Sequence, residues 1–293
     1  MSHVDSVAPA NAETLEAWDG VLFDRFVQFR EIVTAGLGAH GEEALRVHPP
    51  AAGDRALDIG CGFGDTTQRL AELVGPDGEA VGVDVAPRFI EAAREEAEQA
   101  GVTNVRFLVA DAQATEFDER FDYAFSRFGT MFFANPVAAL RNVRLALAPG
   151  GRLCMVVWRR KLDNEWLHRA EVVVEDYVTE PEESDEPTCG PGPFSMADAD
   201  TTSHILVNAG FEEISLRRCD IDIKIGNDLD HAVEFVTALG PAGEVIRLAG
   251  DEAERIRPEI EAALRDGLAE FVRSDGVWGT ASTWIVGAKA PAE

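Results

Sequence analysis

Between residues 55 and 158 short apolar runs alternate with helical stretches, and few folds accommodate that rhythm. Residues 55–59 predict a strand, a glycine-rich turn follows, and a helix is predicted over 65–74. GPDG at 75–78 turns the chain into a second strand, 79–84. Pro87 suits the first turn of the next helix, where its missing N–H would be unpaired anyway; that helix runs to Ala100 and stops at Gly101. Strands three and four are predicted at 104–109 and 122–125. A helix carrying Leu140, Val143, Leu145 and Leu147 then leads through PGG at 149–151 into a fifth strand, 152–158. Strands and helices at this spacing make right-handed βαβ units on a parallel sheet, an α/β fold.

The flanks are less regular. Residues 1–12 read as a loose tail, and 12–47 as helical, interrupted by Gly36, Gly38 and Gly41 and ended by HPPAAGD at 48–54. After the fifth strand, a helix at 164–178 runs into TEPEESDEPTCGPGPFSM, whose acids, prolines and glycines predict a surface flap. A helix at 197–209 and a strand at 213–223 resume the core, 227–274 is helical and acidic, and STWIVGAK (282–289) is a last strand. The organisation expected is a helical cap (1–50), a nucleotide-binding core (51–158) and a helix with flap (159–196). Core continues at 197–225, followed by a helical lid (226–276) and a final strand with tail (277–293).

Charge narrows the partners. The chain carries 53 acidic against 26 basic residues, a net charge of −27, and a field of that sign repels phosphate backbones and anionic membranes. A small-molecule partner is expected, with no nucleic acid and no membrane; the oligomeric state is left open, a homodimer being allowed. No run approaches the roughly 18 apolar residues of a membrane span, and the N-terminus lacks the basic and apolar regions of a signal peptide, so a cytoplasmic location is expected. Cys61, Cys154, Cys189 and Cys219 are far apart, with neither a zinc spacing nor a disulfide framework; Cys154 and Cys219 lie in apolar strand-like runs and are expected in the core.

The chemistry concentrates in ALDIGCGFGDTT, 56–67, where a strand ends at Asp58 and Gly60, Gly62 and Gly64 allow a tight turn and close approach of a ligand. Alone this pattern is weak, and acids after strands commonly cap helices. Two further acids sharpen it: Asp84 ends the second strand, where it can accept ribose hydroxyls, and Asp111 follows the third, within reach of an adenine edge. A pyrophosphate prefers a third glycine where this chain has Asp65, and no cation stands nearby before Arg69. The acidic site suits a positively charged nucleoside such as S-adenosylmethionine better than NAD.

LDIGCGFG, GVDVAPRFIEAAR, VADAQATEF, FDYAFSRFGTMFF and LAPGGRL, in that order, resemble the successive motifs of class I S-adenosylmethionine-dependent methyltransferases. The resemblance is closer to the bacterial small-molecule branch that includes quinone-biosynthesis methyltransferases, and it covers residues 55–158. It implies a Rossmann-like seven-stranded, mostly parallel sheet in the order 3214576 with the last strand antiparallel. It also implies that Asp58 and the backbone of Gly60, Gly62 and Gly64 hold the methionine moiety, Asp84 and Val85 the ribose and adenine, Asp111 and Ala112 the adenine, and Ser126 the amino-acid end. The excursion at 226–276 departs from the family's tight hairpin.

Transfer from a sulfonium needs alignment and exclusion of water more than covalent help, and a base only if the acceptor loses a proton. His168, just past the fifth strand, is the candidate base; a packing histidine is the plainer alternative. Trp18, Phe26 and Arg30 could face one side of a helix and close over the cofactor, with Arg30 near its carboxylate. Arg127, Phe128, Met131, Phe132 and Trp166 are expected to line the acceptor pocket, with Phe194 and Met196 beside the flap, although aromatic runs also build cores. A non-catalytic cofactor-binding protein of the same fold is the alternative to an enzyme.

Overall fold

The computed structural model describes residues 12–178 and 192–292. Its sheet contains β1 (Arg55–Ile59), β2 (Glu79–Asp84), β3 (Val105–Val109), β4 (Phe121–Arg127), β5 (Leu147–Trp158), β6 (Glu212–Gly226), β7 (Val272–Arg273) and β8 (Gly276–Lys289). The order is β3-β2-β1-β4-β5-β8-β6, with β7 paired to β8 off that path. With two-residue β7 set aside, this is the seven-strand order implied by the family resemblance. Strands β1 to β5 pair in parallel, and β8 runs antiparallel to both β5 and β6.

Helices on both faces explain why the central strands are apolar along their length rather than alternating. Successive residues point to opposite layers: Leu57 and Ala124 join one buried cluster, while Ala56, Tyr123 and Phe125 join the other. The crossovers are α4 (Asp65–Val74), α5 (Pro87–Ala100), α6 (Pro136–Ala146) and α8 (Ala199–Ala209). Their ends are set locally. Pro87 opens α5 and Gly101, at φ 70°, closes it; the Asn135 side chain accepts from Ala138 N at 3.0 Å ahead of Pro136.

Three helices, α1 (Ala12–Ala17), α2 (Phe23–Gln28) and α3 (Gly38–Val47), precede the sheet. Their aromatic side docks on the core: Phe23 and Phe26 pack edge-on to Phe89 at 4.9 and 5.9 Å, and Asp19 Oδ1 accepts from Arg88 N at 2.9 Å. Gly38 and Gly41 lie within α3 rather than interrupting it, because the Arg127 side chain occupies the space a Cβ would take at either. Beyond β5, α7 (Glu165–Glu175) packs against the excursion, which holds α9 (Leu229–Leu239), α10 (Pro241–Ala249), α11 (Asp251–Arg255) and α12 (Arg257–Leu268).

Three boundaries differ from the sequence reading. Leu147 starts β5 instead of ending α6, since it pairs with Phe121. Strand β6 extends to Gly226 and β8 begins at Gly276, a longer hairpin than 213–223 with 282–289. The early part of β8 is masked in sequence by Gly276 and Gly279; at 279 a Cβ would collide with the Trp166 indole, so the glycine serves packing there. Cys154 and Cys219 are buried, as expected of core residues. Cys189 and residues 179–191 of the expected flap lie outside the described residues.

Candidate active site

The carboxyl ends of β1 and β2 coincide, with Ile59 opposite Val83, so the turn after β1 sits directly beside Asp84. Gly60 N and Cys61 N both donate to Val83 O, at 2.9 and 3.0 Å. Gly60, Gly62 and Gly64 have φ of 68°, 52° and 79°, values that favour glycine. Their roles differ. A Cβ at Gly60 would lie 3.0 Å from Gly129 Cα, and one at Gly64 2.7 Å from Phe107, so these two hold the turn against β4 and β3. At Gly62 the nearest atom would be Phe89 Cδ1 at 3.9 Å, and that glycine faces the cavity.

The acids are held in place from behind. Asp84 Oδ2 accepts from Gly62 N and Oδ1 from Ala86 N, each at 3.0 Å, so this carboxylate ties the glycine turn to the start of α5. Burial raises its pKa against those hydrogen bonds. Asp58 is buried, accepts from Thr67 Oγ1 at 2.6 Å, and is pushed up to about 7 by desolvation. Asp111 is buried and accepts from Gln113 N at 2.9 Å.

These three carboxylates open into one cavity of about 510 Å³. Gly60, Gly62, Val85 and Ala112 also line this polar end, and the Trp18 ring lies edge-on to that of Phe132 with centroids 4.9 Å apart. The other end is aromatic, walled by Phe128, Met131, Phe132 and Trp166, with Trp158, Phe194 and Phe235. Phe128 holds a left-handed backbone, φ 62°, with its ring 4.9 Å from that of Trp158. A bulky residue in that region is strained, and such strain collects at binding sites. Arg127 also lines the cavity and pairs with Asp65 at 2.8 Å.

Four expectations are not met by the geometry. Arg30 does not line the cavity: Nη1 and Nη2 both donate to the Glu96 carboxylate, and the group stacks 4.0 Å from the Phe63 ring centroid. Ser126 is wholly buried and donates to Ile59 O at 2.8 Å, joining β4 to β1 rather than meeting a ligand. His168 stays outside, because α7 presents Trp166 and Leu167 to the cavity and leaves His168 half-buried elsewhere. Met196 is buried behind the wall.

Two charged lining residues were not picked out in sequence. Arg25 Nη1 donates to Ala238 O at 2.9 Å, and Glu244, paired with Arg247 at 2.8 Å, lies at the same end of the cavity. Burial, followed by the Arg247 charge, lowers the Arg25 pKa. Glu244 carried no signal in sequence, since its place depends on how the excursion folds back.

A Rossmann-like sheet in this order, with acids and a glycine turn at the carboxyl ends of three adjacent strands, is the arrangement in which open α/β sheets bind a ligand at their carboxyl edge. Residues 50–185 match the family model described as a methyltransferase domain. Aklanonic acid methyltransferase DauC of Streptomyces sp. (strain C5) is 38% identical over 114 residues, covering 39% of this chain and 52% of that protein. Ubiquinone/menaquinone biosynthesis C-methyltransferase UbiE of Pseudomonas fluorescens is 36% identical over 115 residues, covering 39% and 45%. The chain thus spans about half the length of these relatives. Among solved structures, Haemonchus contortus phosphoethanolamine N-methyltransferase 2, in complex with phosphomonomethylethanolamine and S-adenosylhomocysteine, has a TM-score of 0.55 at 16% identity. That match covers 97% of this chain and 61% of the other and reflects shared fold.

Proposed function

We propose that this protein is an S-adenosylmethionine-dependent methyltransferase that methylates an O, N or C atom of a small, apolar, aromatic acceptor. The observation that carries the reading is the single cavity, acidic at the glycine turn and aromatic at the far end. The polar end fits the cofactor: Gly62 leaves room for close approach, and both oxygens of Asp84 are fixed by backbone N–H groups with lone pairs left for ribose hydroxyls. Asp111 and Ala112 line the same cavity and would take the adenine, as the family resemblance implies, with Trp18 on the cavity wall.

When bound, the cofactor supplies an activated methyl on a sulfonium. The chain's contribution is positioning and dryness. Phe128, Met131, Phe132 and Trp166 hold the acceptor against the sulfur and exclude water, and alignment of this kind can supply several kcal/mol, about 7–11 at best. Among the described residues no histidine lines the cavity, so this reading assigns no general base. DauC is named for aklanonic acid and UbiE for ubiquinone and menaquinone biosynthesis, which supports a small-molecule acceptor here. The net charge of −27 argues for a small molecule over a nucleic acid.

The test is formation of S-adenosylhomocysteine from S-adenosylmethionine across a panel of phenols, naphthols, quinols and highly charged acceptors of similar size. Turnover is expected with neutral aromatic members. Turnover confined to the charged acceptors would overturn the acceptor class. Tight cofactor binding with no turnover on any acceptor would favour the non-catalytic alternative.

A further inference from the structure

The cavity has a charge problem that its acids cannot solve. Asp58, Asp84 and Asp111 suit a cationic ligand, yet the amino-acid end of that ligand also carries a carboxylate, which needs a cation. Arg30 is committed to Glu96, away from the cavity. Among the described lining residues the cations are Arg25 and Arg127. Arg25 stands at the Ala238 and Glu244 end, whereas Arg127 stands beside the glycine turn: β4 pairs with β1 through Phe125 and Asp58, and Arg127 is two residues further on.

We propose that Arg127 binds the α-carboxylate of the cofactor and that Asp65 is the residue that positions it. The inference rests on the S-adenosylmethionine reading above. Three observations carry it. First, the Arg127 side chain is 12% exposed, so its fork of N–H donors is largely withdrawn from water at the cavity wall. Nη2 donates to Asp65 Oδ2 at 2.8 Å, and a planar guanidinium so fixed keeps further donors for a second carboxylate. Second, the chain makes room for this side chain at a cost to α3. A Cβ at Gly38 would lie 3.2 Å from Nη1 and one at Gly41 3.1 Å from Cδ, although neither glycine needs a left-handed backbone. Glycine weakens a helix relative to alanine, so its service here is to seat the arginine. Third, Asp65 replaces the glycine that a pyrophosphate-binding turn prefers, and its role as the arginine's anchor explains an acid at that place.

Calorimetric titration of the full chain with S-adenosylhomocysteine and with its decarboxylated counterpart tests the proposal. The wild-type protein should bind the first more tightly by about ten- to a hundredfold, the range of a charge-assisted pair. In Arg127→Met that preference should vanish, with the decarboxylated ligand's affinity changed by less than about threefold. Arg127→Lys, which keeps the charge without the fork, should retain part of the preference, and it serves if the methionine variant does not fold. Asp65→Asn should reduce the preference without abolishing it. Because the readout is a ratio within each variant, loss of folded protein does not mimic the result. Equal weakening of both ligands in Arg127→Met, or a preference undiminished in Arg127→Lys and Arg127→Met, would overturn the proposal. A wild-type protein that binds neither ligand would instead overturn the cofactor reading, and this inference with it.

Discussion

Asp58 is buried at a strand end and is pushed up to about 7 by desolvation, against the Thr67 hydroxyl bond and the Arg127 charge. Its folded pKa therefore stands above the ordinary 3.8, and in the ligand-free protein the protonated form is favoured up to about 7. The stability this group contributes is present at low pH and is lost as pH rises through that window, because the folded state there binds a proton that the unfolded state has released. A cationic ligand reverses the preference. Binding should draw Asp58 into its ionised form, so cofactor affinity should strengthen from about pH 5.5 to 7 and level off above it. Titrations across that range check this, and Asp58→Asn should bind more weakly with a flatter profile. A wild-type affinity independent of pH would show that Asp58 does not face the cofactor's positive end.

At the scale of elements, α7 joins the sheet to the excursion through Trp166. The indole is 2% exposed, donates to Thr280 O at 3.2 Å and stacks on Phe235 at 6.0 Å between centroids. Removing a ring held on three sides leaves a void the backbone cannot fill, and Trp166→Ala should cost about 3–5 kcal/mol in urea unfolding. A cost under about 1 kcal/mol would mean that α7 and the excursion are less firmly coupled than the packing indicates. The βα units from 55 to 158 were legible in the sequence because each apolar run is a whole strand and each turn carries its own Pro or Gly signal. The start of β8 was not, because Gly276 and Gly279 answer to tertiary neighbours, Lys224 and Trp166, that no local pattern reveals. The same limit applies to Arg30. Its spacing from Trp18 is helical, but the chain between them is interrupted by π-helical turns and by Gly20 at φ −104°, ψ −115°, so the helical phase shifts and Arg30 meets Glu96. Ser126 was misread for a simpler reason: period-2 geometry at the end of β4 turns it inward, to the carbonyl of Ile59.

Over the whole molecule, the cap and the excursion meet above the sheet's carboxyl edge. Arg25 Nη1 reaches Ala238 O at 2.9 Å, and Phe29 packs 5.4 Å from Phe235, so segments 200 residues apart close one chamber. We propose that they act together as the lid, which would explain why an apolar wall and an acidic floor share one space. The three acids of the floor were visible in the sequence, since each stands at or just past the end of a strand. The sequence anticipated a cap and a lid but not which of their residues meet, since these come together only when 226–276 folds back over 12–47. The most direct test of this account is a crystal structure with S-adenosylhomocysteine bound. The account predicts ribose hydroxyls on Asp84, adenine beside Asp111 and the thioether sulfur facing Phe128 and Met131. Ligand density anywhere other than this chamber, or an adenosine turned toward the aromatic end, would contradict it.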